Sequence, residues 1–468
     1  MRIENLLAQN TRRNGSKIFI STEWQKRTYN DLENRSNKIA VFLNSQKLKR
    51  GEIVAGIMPN CIELVELMFA TAKAGLIFVP INSRLSKSEI CTILEDCLPR
   101  AVFINVELFE TLDATNINCL YNSILVTVGS SKPVFHGWGY ENIIESSSTN
   151  HPKFNKYPDT DIWLVGYTSG TTGLPKGACL SHRSKSLCAI VEAHEFQTNS
   201  KDTALINTPM FHVHSLVNIL ILAAVGGSVY IAQSFDPEET LRIVEKNRIT
   251  EISMVPTMYQ RILEVYSKHQ TDLNSIRLAR STGASLSSEL GTAIQEMIPE
   301  NSLNVLYGAT EAGPVSNLFS DEFRMRNKSV GLPLFGVNLE VRADNGEKLD
   351  YGQTGEIFVR SPYIFSNYFR SNSLSQNGNY IRWISLGDKG TVEEDGFIFL
   401  NGRTGDVIIS GGENISASEV EKILIEHPSV SEAAVIGLKD EKWGETPCAF
   451  IELKADTQAP SEEGQVSR

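Results

Sequence analysis

Residues 167–177, YTSGTTGLPKG, hold four serine and threonine hydroxyls (Thr168, Ser169, Thr171, Thr172), two turn glycines (Gly170, Gly173) and one lysine, Lys176. Glycines let successive backbone amides converge on an anion, hydroxyls add donors, and the ammonium adds charge. That combination suits a polyphosphate. It is not the GxxxxGK[ST] loop, which cannot be aligned on Gly170 or Gly173 with Lys176. A solvated Ser/Thr/Gly turn is the plainer alternative, but eleven such residues behind the apolar run 162–166 favour phosphate.

Four more clusters could do chemistry: PMFHVHSL at 209–216, YGATE at 307–311, SLGD at 385–388 followed by NGRTGD at 401–406, and SGGENISASEVE at 410–421. Taken singly, Glu311 reads as a surface acid, Asp388 as a turn residue, Arg403 as a linker charge and His212 as a helix cap. Together they call for a fold that brings distant turns to one place.

The pattern between the clusters supplies one. In the first third, strand-like runs at 53–57, 77–79, 101–104 and 124–128 alternate with helix-period segments at 62–73 and 86–96. In the middle third, strands are predicted at 162–166, 203–207, 228–231, 251–255, 277–280 and 304–306. Helices are predicted at 213–224, 237–247, 257–268 and 287–297. Alternation of this kind implies a largely parallel sheet with right-handed helical crossovers. In such sheets ligands sit where the carboxyl ends of strands release the chain into loops. The loops that follow these strands, 167–176, 208–212, 256–257, 281–285 and 307–311, take in three of the five clusters. After Val330 short alternating runs joined by tight turns read as antiparallel β. The expected fold class is therefore α/β. A large N-terminal domain over 1–402 is expected to comprise two α/β parts (about 1–160 and 161–330) and a β subdomain (331–402). Residues 403–468 read as an incomplete α/β C-terminal domain.

Composition narrows the partners. The 468 residues carry a net charge of −11, which repels nucleic acid and anionic membranes. Seven cysteines, scattered and without a CxxC pair, suggest neither a disulfide framework nor a zinc site and fit a reducing cytoplasm. The longest apolar stretch, 216–232, is interrupted by Asn218, Gly226 and Gly227, so no membrane span is expected. The amino terminus is too polar to read as a signal peptide.

The order and spacing of YTSGTTGLPKG, YGATE, SLGD and the Gly402-Arg403 pair resemble the adenylate-forming superfamily of acyl-CoA synthetases, adenylation domains and luciferases. The resemblance implies ATP-dependent conversion of a carboxylic acid to an acyl-adenylate, then transfer to CoA, with Mg²⁺ as the phosphate-bound ion. It implies Lys176, Thr310 and Glu311 as catalytic, with Glu311 and Thr171 on the metal. Nucleotide would be held by Thr168, Ser169, Gly170, Thr171, Thr172, Gly173, Lys176, Gly283, Ala284, Tyr307, Gly308, Thr310, Asp388 and Arg403. His212 and Val213 would line the acyl pocket, and Gly411 and Gly412 the CoA tunnel. Amino-acid-activating members of the family place an aspartate at the position of His212 to pair the substrate ammonium, and a histidine cannot supply that fixed charge, so the resemblance implies an acid without an α-amine. Around His212 the chain is most similar to coumarate-, oxalate- and malonate-CoA ligases. The family also carries a lysine-bearing carboxyl-terminal segment that is not seen after Lys454, which implies impaired adenylation. Two alternatives stay open: a non-catalytic or truncated nucleotide-binding protein, and acyl transfer to a carrier protein.

Overall fold

The computed structural model describes residues 1–112, 120, 122–129, 137–147, 156–168, 175–268, 271–370, 382–403, 407–410, 413–440 and 443–454. Its contacts divide the chain into two units: 1–337 with 360–382, and 338–359 with 383–468. The expected domain boundary at 402/403 thus falls within a strand of the second unit, Ile398–Arg403.

The first unit holds two sheets of mostly parallel strands. In one, Trp138–Gly139, Ile124–Val128, Ala101–Asn105, Ile53–Ile57, Ile77–Ile81 and Ile162–Thr168 run side by side, closed by an antiparallel edge strand, Lys176–Ser181. In the other, Leu303–Ala309, Leu278–Thr282, Glu251–Met254, Thr203–Ile206, Ser228–Ile231 and Ile18–Ser21 are parallel neighbours. Antiparallel strands flank this row, Gly313–Leu318 and Leu332–Pro333 on one side and Lys26–Thr28 on the other. The sheets do not part at residue 160. Ile162–Thr168 and Lys176–Ser181 join the sheet of the first third, while Ile18–Ser21 crosses to the other.

Local sequence explains most of these elements. Ile53–Ile57 is buried along its whole length, as a strand covered on both faces requires. Helix Lys87–Cys97 opens with a capping box, in which the Ser86 side chain takes the Glu89 amide and Glu89 returns to Ser86. Helices Pro237–Asn247 and Pro256–Tyr266 carry proline in the first turn, where the missing N–H costs nothing.

Between the second sheet and the helix His182–Glu195 lies a buried charged layer. Arg280 Nη1 stands 3.2 Å from Glu192 Oε2, and Arg277 Nη2 is 2.7 Å from Glu251 Oε1. Arg280, Glu192 and Glu251 are all at most 2% exposed. Charges so buried need partners, and here they tie Leu278–Thr282 to the helix beside it.

The second unit contains two antiparallel sheets, Asn338–Arg342, Gly355–Arg360, Ile384–Val392 and Ile398–Arg403 in one, Glu413–Ser416, Val407–Ser410, Gly444–Leu453 and Val430–Asp440 in the other. Helix Ala417–Ile425 packs on the latter through Ala417, Val420 and Leu424, against Ile408 and Val435.

Candidate active site

The strands on either side of the phosphate-loop candidate pair antiparallel. Thr168 pairs with Lys176 across Ile162–Thr168 and Lys176–Ser181, and its hydroxyl reaches the Lys176 carbonyl at 3.4 Å. Lys176 is thus the first residue of a strand. Ser169, Gly170, Thr171, Thr172 and Gly173 lie outside the described residues.

A hairpin carries the acid. Leu303–Ala309 and Gly313–Leu318 are joined by Thr310, Glu311 and Ala312, with Ala309 opposite Gly313. Gly313 has φ +73°, a conformation that costs glycine little, so the turn closes in three residues. Behind it lies Lys185, fully buried, its ammonium donating to the Tyr363 carbonyl at 3.3 Å. Burial lowers the pKa of this lysine, against the opposing pull of Cys188, Glu192 and Glu311.

The two sheets meet at Gly166. A Cβ there would fall 2.8 Å from Val213 Cγ2 and 3.6 Å from Thr310 Cγ2, so the strand below the phosphate loop, the acyl-pocket candidate and the Thr310 turn are in close approach. Asn60 holds the loop before Val213 from the other sheet: its Nδ2 donates to Thr208 O (2.9 Å) and Ala232 O (3.1 Å), and its Oδ1 accepts from Met210 N (2.8 Å). His212 is exposed and lies against Phe211, with ring centroids 4.4 Å apart. His214 Nε2 lies 2.7 Å from Ser253 Oγ and 3.1 Å from Asn218 Nδ2. Gly283 and Ala284 follow Leu278–Thr282 and are exposed, as is Gly308; Tyr307 is half-buried beside it.

In the second unit Asp388 and Arg403 are brought together as cross-strand partners. Gly411 and Gly412 lie outside the described residues.

Sequence reasoning passed over Tyr368. Its hydroxyl donates to Glu311 Oε1 at 2.8 Å, and its ring lies 5.9 Å from Lys176 Nζ. The aromatic run around it, Tyr363, Phe365, Tyr368 and Phe369, was the available signal. Oε2 of Glu311 has no hydrogen-bond partner among the described residues. A single carboxylate with one open oxygen suits magnesium, which keeps waters and substrate phosphates around one or two carboxylates.

A family model for AMP-binding enzymes matches residues 7–369, and one for the AMP-binding enzyme C-terminal domain matches 419–466. The chain belongs to the AMP-binding enzyme family. It is 31% identical to the putative acyl-CoA ligase YdaB of Bacillus subtilis, over 94% of this chain and 86% of that protein. It is likewise 31% identical to the indoleacetate-CoA ligase of Aromatoleum aromaticum, over 91% and 82%. Among solved structures, o-succinylbenzoate CoA synthetase from Bacillus subtilis, in complex with its acyl-adenylate, superposes with a TM-score of 0.84 at 26% identity, over 97% and 89%. The expectations of an α/β adenylate-forming enzyme and of an acyl-CoA ligase are met by these relatives. No helix among the described residues is long and apolar enough to cross a membrane.

Proposed function

We propose that this chain activates a carboxylic acid with ATP as an acyl-adenylate and passes the acyl group to CoA. The observation that carries the reading is that Lys176 and Glu311, an ammonium and a carboxylate from different sheets, flank one tyrosine.

A carboxylate is a poor acyl electrophile, and joining it to the α-phosphorus turns AMP into its leaving group. As pyrophosphate departs, negative charge builds on the leaving oxygens, and fixed positive charge aimed there lowers the barrier. Lys176 supplies that charge, and the amides and hydroxyls of 168–173 supply donors. Thr310 is assigned the α-phosphate. Glu311 would hold Mg²⁺, with Thr171 as a second ligand, and the ion supplies further positive charge to the phosphates when bound. Gly283, Ala284, Tyr307 and Gly308 are assigned the adenine, and Asp388 with Arg403 the ribose hydroxyls. His212 and Val213 line the acyl group, whose lack of an α-amine follows from the neutral imidazole at 212. Gly411 and Gly412 are assigned the pantetheine of CoA. The scattered cysteines favour a cytoplasmic setting.

Acid-dependent ATP–pyrophosphate exchange over a carboxylate panel tests the reading, with CoA and carrier protein then offered to the adenylate. Exchange in the wild type and its loss in Lys176→Ala are expected. Nucleotide binding without exchange for any acid would replace the enzyme reading with a binding one.

A further inference from the structure

Tyr368 stands in irregular chain outside the motifs, yet it touches both arms of the phosphate site. Residues 366–369 run antiparallel along Lys176–Ser181: Ser366 N donates to Cys179 O (2.8 Å), Cys179 N to Asn367 O (2.9 Å), and Phe369 N to Gly177 O (2.7 Å). Tyr368 therefore faces Ala178. Lys176, two residues along, shares that face and is its diagonal neighbour. The same short segment also grips the Glu311 hairpin. Phe365 N donates to the Glu311 carbonyl at 2.6 Å, and the Tyr368 hydroxyl takes Oε1 of its carboxylate. The Phe365 ring meets Tyr368 edge-on, with centroids 4.9 Å apart at 67°, which fixes the plane of the phenol.

We propose that Tyr368 is a positioning residue for adenylation, its hydroxyl orienting the Glu311 carboxylate toward a phosphate-bound magnesium while its ring face seats the Lys176 ammonium. This rests on the assignment of Lys176 and Glu311 given above. Donation to Oε1 fixes the carboxylate rotamer and leaves Oε2 for the cation. Carboxylate ligands held by such a neighbour lose about 10–100-fold in metal affinity or activity without it.

The test separates hydroxyl from ring. In Tyr368→Phe the half-saturating Mg²⁺ for pyrophosphate exchange is expected to rise by about tenfold. By calorimetry, the gain in ATP affinity on adding Mg²⁺ should shrink, while ATP affinity in EDTA stays at the wild-type value and reports an intact site. In Tyr368→Leu the affinity in EDTA should also fall by roughly 2–5-fold, as the ammonium loses its ring. A Tyr368→Phe protein with wild-type Mg²⁺ dependence in both measurements, while Lys176→Ala has lost exchange, overturns the role of Tyr368 alone. A wild type that neither binds ATP nor exchanges pyrophosphate overturns the underlying reading together with it.

Discussion

Arg403 stands directly opposite Asp388 in adjacent antiparallel strands, its Nε 3.2 Å from Asp388 Oδ1. The partners differ in exposure, 66% for the Arg403 side chain and 12% for that of Asp388. The guanidinium holds the carboxylate from the solvent side, and a pair with one arm in water adds little to stability. Arg403→Ala is therefore expected to change urea-unfolding stability by less than about 1 kcal/mol. Asp388→Ala should weaken ATP binding by more than tenfold, because hydrogen bonds to a charged group are worth about 1.5–3 kcal/mol. Equal ATP affinity in wild type and Asp388→Ala, by calorimetry, would remove Asp388 from the nucleotide site.

The Arg280–Glu192 pair should behave in the opposite way. Both side chains are buried, so Arg280→Met leaves an uncompensated carboxylate and should cost about 3–5 kcal/mol in chemical denaturation. Adding Glu192→Gln to that variant should recover part of the loss. A single variant as stable as the wild type would show that the carboxyl is already neutral in the folded protein.

His182 predicts a pH dependence. It is 1% exposed, and burial, reinforced by the nearby Arg2 charge, lowers its pKa to about 2. Asp159 and the amino terminus also act on it, and Glu4 Oε2 lies 3.7 Å from its Nδ1. The unfolded chain takes up a proton there near pH 6.5, whereas the folded chain excludes it, so this contribution to stability is present above pH 6.5 and lost as pH falls below it. Between pH 7.5 and 5.5 the wild type should lose about 1.4 kcal/mol more than His182→Gln. Equal losses would mean that the folded protein carries a charged imidazole.

Gly313→Ala isolates backbone strain in the hairpin that bears Glu311. The nearest heavy atom to an added Cβ would be Lys185 Nζ at 3.5 Å, so space is adequate and the cost is conformational. A loss of about 1–2 kcal/mol is expected, read from the shift in the urea midpoint. No loss would mean that the turn has another low-energy geometry.

The alternating rhythm was legible because apolar runs bounded by turns report buried parallel strands: 53–57, 124–128 and 228–231 were placed to the residue. Helix His182–Glu195 was not, because its buried face carries Ser184, Lys185, Ser186 and Glu192, which erase the apolar period. Strand exchange between the sheets was equally hidden, since partner choice depends on residues hundreds of positions away. The motifs at 167–177 and 307–311 announce themselves through glycine and hydroxyl spacing. Tyr368 has no such mark, because its importance comes from the two strand pairs it reaches.

The strand Ile18–Ser21 finds its parallel neighbour, Ser228–Ile231, more than two hundred residues later. During translation at about 5–20 residues per second, that edge waits on the order of 10–40 s for its mate. Until then only the short hairpin with Lys26–Thr28 covers one of its sides. A nascent chain built this way is exposed to chaperones, proteases and its own neighbours on the polysome. Slowing elongation between these two points is expected to lower the yield of native protein even where no codon change alters an amino acid.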